Sequence, residues 1–287
     1  MIFINPKTDY AFKKIFGSSG SKDILISFLN ALIYDAHPTI EDLEIINPNL
    51  PPSVQGLKDT YLDVKAKLNN GTLVIIEMQV LNVQSFRQRV LYNATKTYAF
   101  QLQAREGYRM LKPVIALTIT DFEMFEEFDR AISRFVYKEE SLNVKYTDCG
   151  LELVFIELPK FTKEVSQLET LTDKWIYFLK YARSLTQAPE NMDSIPEIHR
   201  AFEIANQANL TPEELEDLDR REMFIYDQQG AIALGREEGR EMGREEGMRQ
   251  KAIAIARQLL DRLDNETISQ TTGLTIEEVQ NLRSIEE

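Results

Sequence analysis

The sequence predicts an α/β fold: a mixed sheet flanked by helices, followed by an all-α C-terminal region. Three observations carry this. An alternating stretch, 61–68, is joined by Asn69-Asn70-Gly71 to a run, 73–81, that is apolar on both faces apart from Glu77 and Gln79. A long amphipathic helix over 85–106 then leads to a buried strand over 114–120, and beyond Phe161 the periodicity is almost wholly helical.

In chain order, residues 5–32 read as two helices. Phe12, Ile15 and Phe16 recur at helical spacing, the stretch from Gly17 to Gly20 breaks the pattern, and Ser21 is the expected N-cap of a second helix. That helix is striped by Ile24, Leu25, Phe28, Leu29 and Leu32. A short strand over 40–46 follows, which 47–53, with three prolines, cannot continue. Within 61–68, Leu62, Val64, Ala66 and Leu68 point one way while Tyr61, Asp63, Lys65 and Lys67 point the other. Between 130 and 160 further strands are expected, chiefly 151–158 with Leu151, Leu153 and Phe155 alternating.

Helices follow over 168–185, 196–207 and 212–228. The tail then repeats GREEGREMGREEG, with Gly235, Gly239, Gly243 and Gly247 in register. Two short helices close the chain around Gly273, one opened by Asn265 or Glu266, the other capped by Thr275. The expected divisions are 1–161, 162–229 and 230–287.

Composition narrows the function. The 287 residues are 43% hydrophobic and 28% charged, enough for a sizeable core and too many for one small module. A single cysteine, Cys149, excludes a disulfide scaffold or a thiolate zinc module, and His37 and His199 alone leave no imidazole-rich metal site. No apolar run reaches the ~20 residues of a membrane helix, and no basic region followed by an apolar stretch opens the chain. A cytoplasmic protein with no membrane partner is expected. Net charge is −13, which argues against a generic nucleic-acid binder. The first 110 residues, however, hold 12 Lys and Arg against 10 Asp and Glu, so a polyanion can still approach that part.

The hairpin of 61–81 holds the candidate chemistry. With a three- or five-residue loop centred on Asn70, Asp63 stands opposite Glu77 on one face. A two-residue Asn70-Gly71 loop throws them onto opposite faces. In the first register two carboxylates meet on a buried sheet, which is unfavourable unless one is protonated or a cation intervenes. A hard divalent ion such as magnesium satisfies both. Gln79 shares the face of Glu77 and is placed to orient a water or a phosphate, and Lys65 is placed to add positive charge. The plainer alternative is a polar strand face at Asp63, with Glu77 and Gln79 satisfied by Arg87 or Arg89.

The strings TDYAFKKIFG, KDTYLDVKA, IIEMQ, FRQRVLYNATKTYAFQL and FIELPKF, in that order, resemble the PD-(D/E)XK nuclease-family transposases, also described as recombination-promoting nucleases. The resemblance runs from about Met1 to Phe161, and the GREEG tail also resembles tails found there. It implies a restriction-endonuclease-like core and magnesium- (or manganese-) dependent cleavage of DNA. Asp63 matches the first acid and Glu77 the second. Gln79 occupies the position where the nuclease superfamily usually has lysine, and its amide carries no charge. Lys65 as a substitute is our own reading, not a family feature.

Asp9 lies where related nucleases sometimes place an auxiliary acid; pairing with Lys13 one turn on is the alternative. Arg89 and Tyr92 open the helix that packs beside the active site in this fold, where they contact the phosphate backbone or fix Glu77. FIELPKF has no derivable role beyond a core strand ending at Pro159. The glycine stripe permits close approach of a second helix, hence a homodimer through the tail, or belongs to a marginal solvated helix. Two functional classes are therefore expected: a metal-dependent DNA endonuclease, or a catalytically inactive nuclease-like fold serving as a nucleic-acid or protein binding module.

Overall fold

The computed structural model describes residues 2–50, 60–103, 105–146 and 150–286. Part of the expected proline break, Lys58 and Asp59 of KDTYLDVKA, and Cys149 lie outside them. Helix α1 (Asp9–Phe16) starts where the Thr8 hydroxyl accepts a hydrogen bond from the Ala11 N–H, and α2 (Lys22–Ile33) follows after a single 3-10 turn. Gly17 between them is required by close approach: a Cβ there would lie 2.9 Å from the Lys13 carbonyl oxygen and 3.2 Å from Val64 Cγ2. Ser21 precedes α2 but does not cap it; its hydroxyl is engaged by Ser18 and the Lys14 carbonyl.

Strand β1 (Leu43–Ile46) is followed by a short ribbon of β2 (Asn49–Leu50) and β3 (Thr60–Tyr61), so strand pairing does resume after Pro48. Next come β4 (Val64–Leu68), β5 (Leu73–Gln79), α3 (Phe86–Ala99), β6 (Val114–Thr120), β7 (Ile132–Phe135) and β8 (Leu151–Glu157). Helix α3 stops seven residues short of expectation. Beyond it the Gln101 side chain bonds both the N–H and the C=O of Lys112 at 2.9 Å, which folds the chain back toward β6. The six-stranded sheet has the order β1-β4-β5-β6-β8-β7. β5, β6 and β8 are mutually parallel, while β1, β4 and β7 are antiparallel to their neighbours.

One face of this sheet is covered by α1, α2, α4 (Leu171–Tyr181) and α6 (Pro196–Ala205), with the short α5 (Glu190–Asp193) leading into α6. Phe16, Phe28, Trp175 and Phe178 pack there as a fully buried aromatic cluster. The N-terminus is stitched to the end of α6 by Ile4 N–H to Ala205 O (2.8 Å) and Gln207 N–H to Ile2 O (2.9 Å). The other face is covered more thinly by α3, through Ala94 on Ile75 and Ala116, and Phe86 and Val90 on Phe155.

Leu62 departs from the predicted alternation. The chain bends at Asp63, so Leu62 joins the α3-side cluster with Ile75 while Val64, Ala66 and Leu68 join the opposite core. FIELPKF gains a physical role. Glu157, at the end of β8, is fully buried; its Oε1 accepts the N–H groups of Met124 (2.5 Å) and Phe125 (3.1 Å), and its Oε2 pairs with Lys160 (3.0 Å). Lys160 Nζ also donates to the carbonyls of Phe125 and Phe128, so the pair clamps the loop after β6.

Helix α7 (Pro212–Leu259) is one 48-residue helix, so the expected break after Gln228 is absent. The first compact unit ends within it at Ile225, and the second comprises Tyr226–Glu287. In the second unit the end of α7 packs with α8 (Asn265–Thr272) and α9 (Ile276–Glu286) around Ala256, Leu260, Ile268, Leu274 and Val279. Asp264 caps α8 and Thr275 caps α9. Gly235, Gly239, Gly243 and Gly247 have open space around them. Within α7, Asp217 pairs with both Arg220 and Arg221. Among the described residues no helix is long and apolar enough to cross a membrane.

Candidate functional site

The β4–β5 connection decides the register. Leu68 N–H bonds Thr72 O (2.9 Å), Gly71 N–H bonds Leu68 O (2.8 Å), and Gly71 takes φ +88°. The loop is therefore three residues, and Val64 faces Ile76, Lys65 faces Ile75 and Ala66 faces Val74. The regular ladder ends at Val64: the Asp63 N–H donates at 3.2 Å to the carbonyl of Ile76, the residue already paired with Val64, so Asp63 sits at a bend beside the register and close enough for its charge to act on Glu77.

The two acids are held by different elements. Asp63 Oδ2 accepts the Met78 N–H at 2.8 Å, while Oδ1 faces Lys13 of α1 at a loose 3.5 Å. Glu77 Oε1 pairs with Arg89 Nη2 at 2.8 Å, and Oε2 takes a long 3.4 Å bond from Asn93 Nδ2. The Asp63 and Glu77 side chains are only 12% and 14% exposed. Burial accordingly pushes both carboxyls above their ordinary pKa values, against the pull of the Met78 N–H and Lys13 on Asp63 and of Arg89 on Glu77. The charge of Asp9 adds to the rise at Asp63, and that of Asp63 adds to the rise at Glu77.

Gln79 turns its amide oxygen to Arg89 Nη2 (2.6 Å), because its nitrogen donates to Leu81 O (2.7 Å). Lys65, across from Ile75 and one diagonal step from Glu77, is half-buried and has its ammonium pKa lowered by burial. The Tyr92 ring lies under Lys96, 5.8 Å from its ammonium nitrogen. Asp9 pairs with Arg221 of α7 at 2.5 Å rather than with Lys13. Arg87, the other cation expected near Glu77, lies over the Phe125 ring instead. A cavity of about 560 Å³ opens beside Gln79, lined by Lys7, Asp9, Met78 and Gln79 and by Arg220, Arg221 and Phe224 of α7.

Three of these contacts escaped the sequence reading. Asn93 lies four residues after Arg89 and so shares its helix face, a signal that was available. Lys13 bears the same relation to Asp9 yet reaches across to Asp63. Arg221 is 212 positions from Asp9, and no local pattern links them.

Among the described residues no three His, Cys, Asp or Glu side chains gather as a metal-ligand set. The donors at hand are two carboxylates and one amide oxygen, all hard. Such a set fits magnesium, which is bound through one or two carboxylates and keeps several waters. It does not fit a soft metal that needs thiolate or imidazole.

No curated protein and no solved structure matches the chain. The family model described as PD-(D/E)XK nuclease family transposase matches residues 6–235, which takes in the sheet, α1 to α6 and the first half of α7. The mixed six-stranded sheet with helices on both faces is of the restriction-endonuclease-like kind expected of that family. By this match over most of its length, the chain belongs to the PD-(D/E)XK nuclease family transposases.

Proposed function

We propose that the chain is a divalent-metal-dependent DNA endonuclease, hydrolysing phosphodiester bonds in the cytoplasm, with Asp63 and Glu77 holding the ion. The observation that carries this is the pair itself. Two neighbouring carboxylates are withdrawn from water and each raised in pKa, the charge of Asp63 adding to the rise at Glu77, and Gln79, two residues beyond Glu77, lines a cavity of about 560 Å³. A bound magnesium or manganese ion would supply an activated water and neutralise charge on the phosphodiester.

The remaining work falls to the chain. The Met78 N–H fixes Asp63 so that Oδ1 stays the less committed oxygen. Gln79 presents a third oxygen. Lys65 is the half-buried cation nearest along the sheet for charge building on the phosphate. Lys7, Arg220 and Arg221 line the cavity, where flanking phosphates would be drawn. Asp9 reaches the site through its charge on Asp63 while tethering α7 through Arg221.

The second reading, an inactive nuclease-like binding module, is favoured by one observation: Arg89 already sits on Glu77 and Gln79 as an internal cation. Cleavage of supercoiled plasmid with magnesium or manganese, compared with chelator, separates the two. Nicking or linearisation is expected only with the ion, and is expected to vanish in Asp63→Ala and Glu77→Ala variants whose melting curves remain cooperative. Cutting that survives either substitution removes the site from these residues. A folded protein that cuts with neither ion favours the binding module.

A further inference from the structure

We infer that Arg89 is a built-in competitor for the cation at this site, seated between Glu77 and Gln79 until a divalent ion displaces it. The inference rests on the reading of Asp63 and Glu77 as ligands. One nitrogen, Nη2, donates both to Glu77 Oε1 at 2.8 Å and to Gln79 Oε1 at 2.6 Å. It bridges two oxygens as a metal ion would, and both turn their lone pairs toward it. Gln79 cannot present its nitrogen instead, because that nitrogen is committed to Leu81 O. The two side chains thus form a seat for a single positive partner, and a guanidinium and a divalent ion repel one another there.

The seated Arg89 is incompletely satisfied. Its Nε is buried and has no hydrogen-bond partner among the described residues. A buried donor left unpaired costs free energy, so the guanidinium gains by moving to a fresh acceptor. The way out is open, since the Arg89 side chain is 38% exposed and its guanidinium lies over the Phe86 ring, 4.8 Å from the centroid. Occupying the seat serves the metal-free protein, because a withdrawn Glu77 carboxylate without any cation would be strongly destabilising. The consequence is a reduced apparent metal affinity, scaled by the fraction of molecules in which Arg89 has left its seat. If Arg89 only positions Glu77 for the metal, its removal weakens binding. The two accounts therefore predict opposite signs.

Calorimetric titration of manganese into the full chain, all variants at one fixed pH, decides between them. Arg89→Met is expected to bind manganese about tenfold more tightly than wild type, with Arg89→Lys between them. Manganese should also raise the melting temperature of Arg89→Met more than that of wild type. Unchanged or weaker binding by a cooperatively melting Arg89→Met overturns the inference, and Arg89→Gln takes its place if the methionine variant does not fold. Asp63→Asn and Glu77→Gln keep the underlying reading separate. Loss of manganese binding in both, with no gain on removing Arg89, retains the ligands and discards the competitor. Wild-type binding in both discards the ligand reading itself, and with it the competitor.

Discussion

Glu157 and Glu77 stand near the C-terminal ends of β8 and β5, two strands apart in one sheet and on the same face, yet their surroundings differ in kind. Every hydrogen-bonding demand of Glu157 is met inside the protein, by two backbone N–H groups and an ammonium that is itself saturated by two carbonyls. Glu77 has one ion pair and one long bond, feels the charge of Asp63, and is raised in pKa by burial. Buried carboxylates are thus of two sorts. One whose partners are complete belongs to the architecture. One whose partners fall short is available to something that arrives from outside.

The contrast breaks first at Glu157. Removing one member of a saturated buried pair strands the other, so Glu157→Ala should cost about 3–5 kcal/mol in urea unfolding. A loss below about 1 kcal/mol, the range of an exposed pair, would mean that the clamp does not hold the loop after β6.

Asp63 should respond with the opposite sign. Its folded pKa lies above the ordinary value, so folding favours the protonated acid, and stability is lost as pH rises through the raised pKa. Asp63→Asn should therefore raise the metal-free melting temperature at neutral pH by about 2–4 °C, an effect worth on the order of 1 kcal/mol in a chain of this size. The gain should shrink on acidification toward the ordinary carboxylate range. A lower melting temperature at neutral pH would place Asp63 with Glu157.

Glu214 supplies a solvated reference. It accepts from the Tyr10 hydroxyl at 2.5 Å and pairs with Lys14, which holds its pKa down at about 2, while burial and Glu214 push Tyr10 up to about 12. This contribution is present above the ordinary glutamate pKa and lost as pH falls toward 2. The group is partly open to solvent, which screens the pair, so Glu214→Gln should cost about 1 kcal/mol or less, read as a small shift in the urea midpoint.

The sequence of helices and strands along the chain, the hairpin and the core face of α2 were legible because they depend on local periodicity. The hairpin register was not, since Asn69-Asn70-Gly71 suits two loop lengths. The backbone selects the longer one: a two-residue type I′ turn needs positive φ at both Asn70 and Gly71, and only Gly71 has it. The bend that sends Leu62 to the α3 side goes with a long-range bond, the Leu62 N–H donating to the carbonyl of Pro48 in the link between β1 and β2. Asp63, Glu77 and Gln79 could be named from spacing and resemblance. The choice by Arg89 of Glu77 and Gln79 together, and by Asp9 of Arg221, is made in three dimensions. The continuity of α7 was not legible, since each interior glycine counts against a helix by roughly 1 kcal/mol, yet the helix runs unbroken to Leu259.

The tight connection between β4 and β5 works as a spacer whose count matters more than its chemistry. Deleting one residue from it would shift the pairing by a step and exchange inward for outward along the hairpin, so that lysines sank into the interior and the acids parted. Descendants of this chain should therefore tolerate many replacements at Asn69 and Asn70 but hardly any change in how many residues stand there.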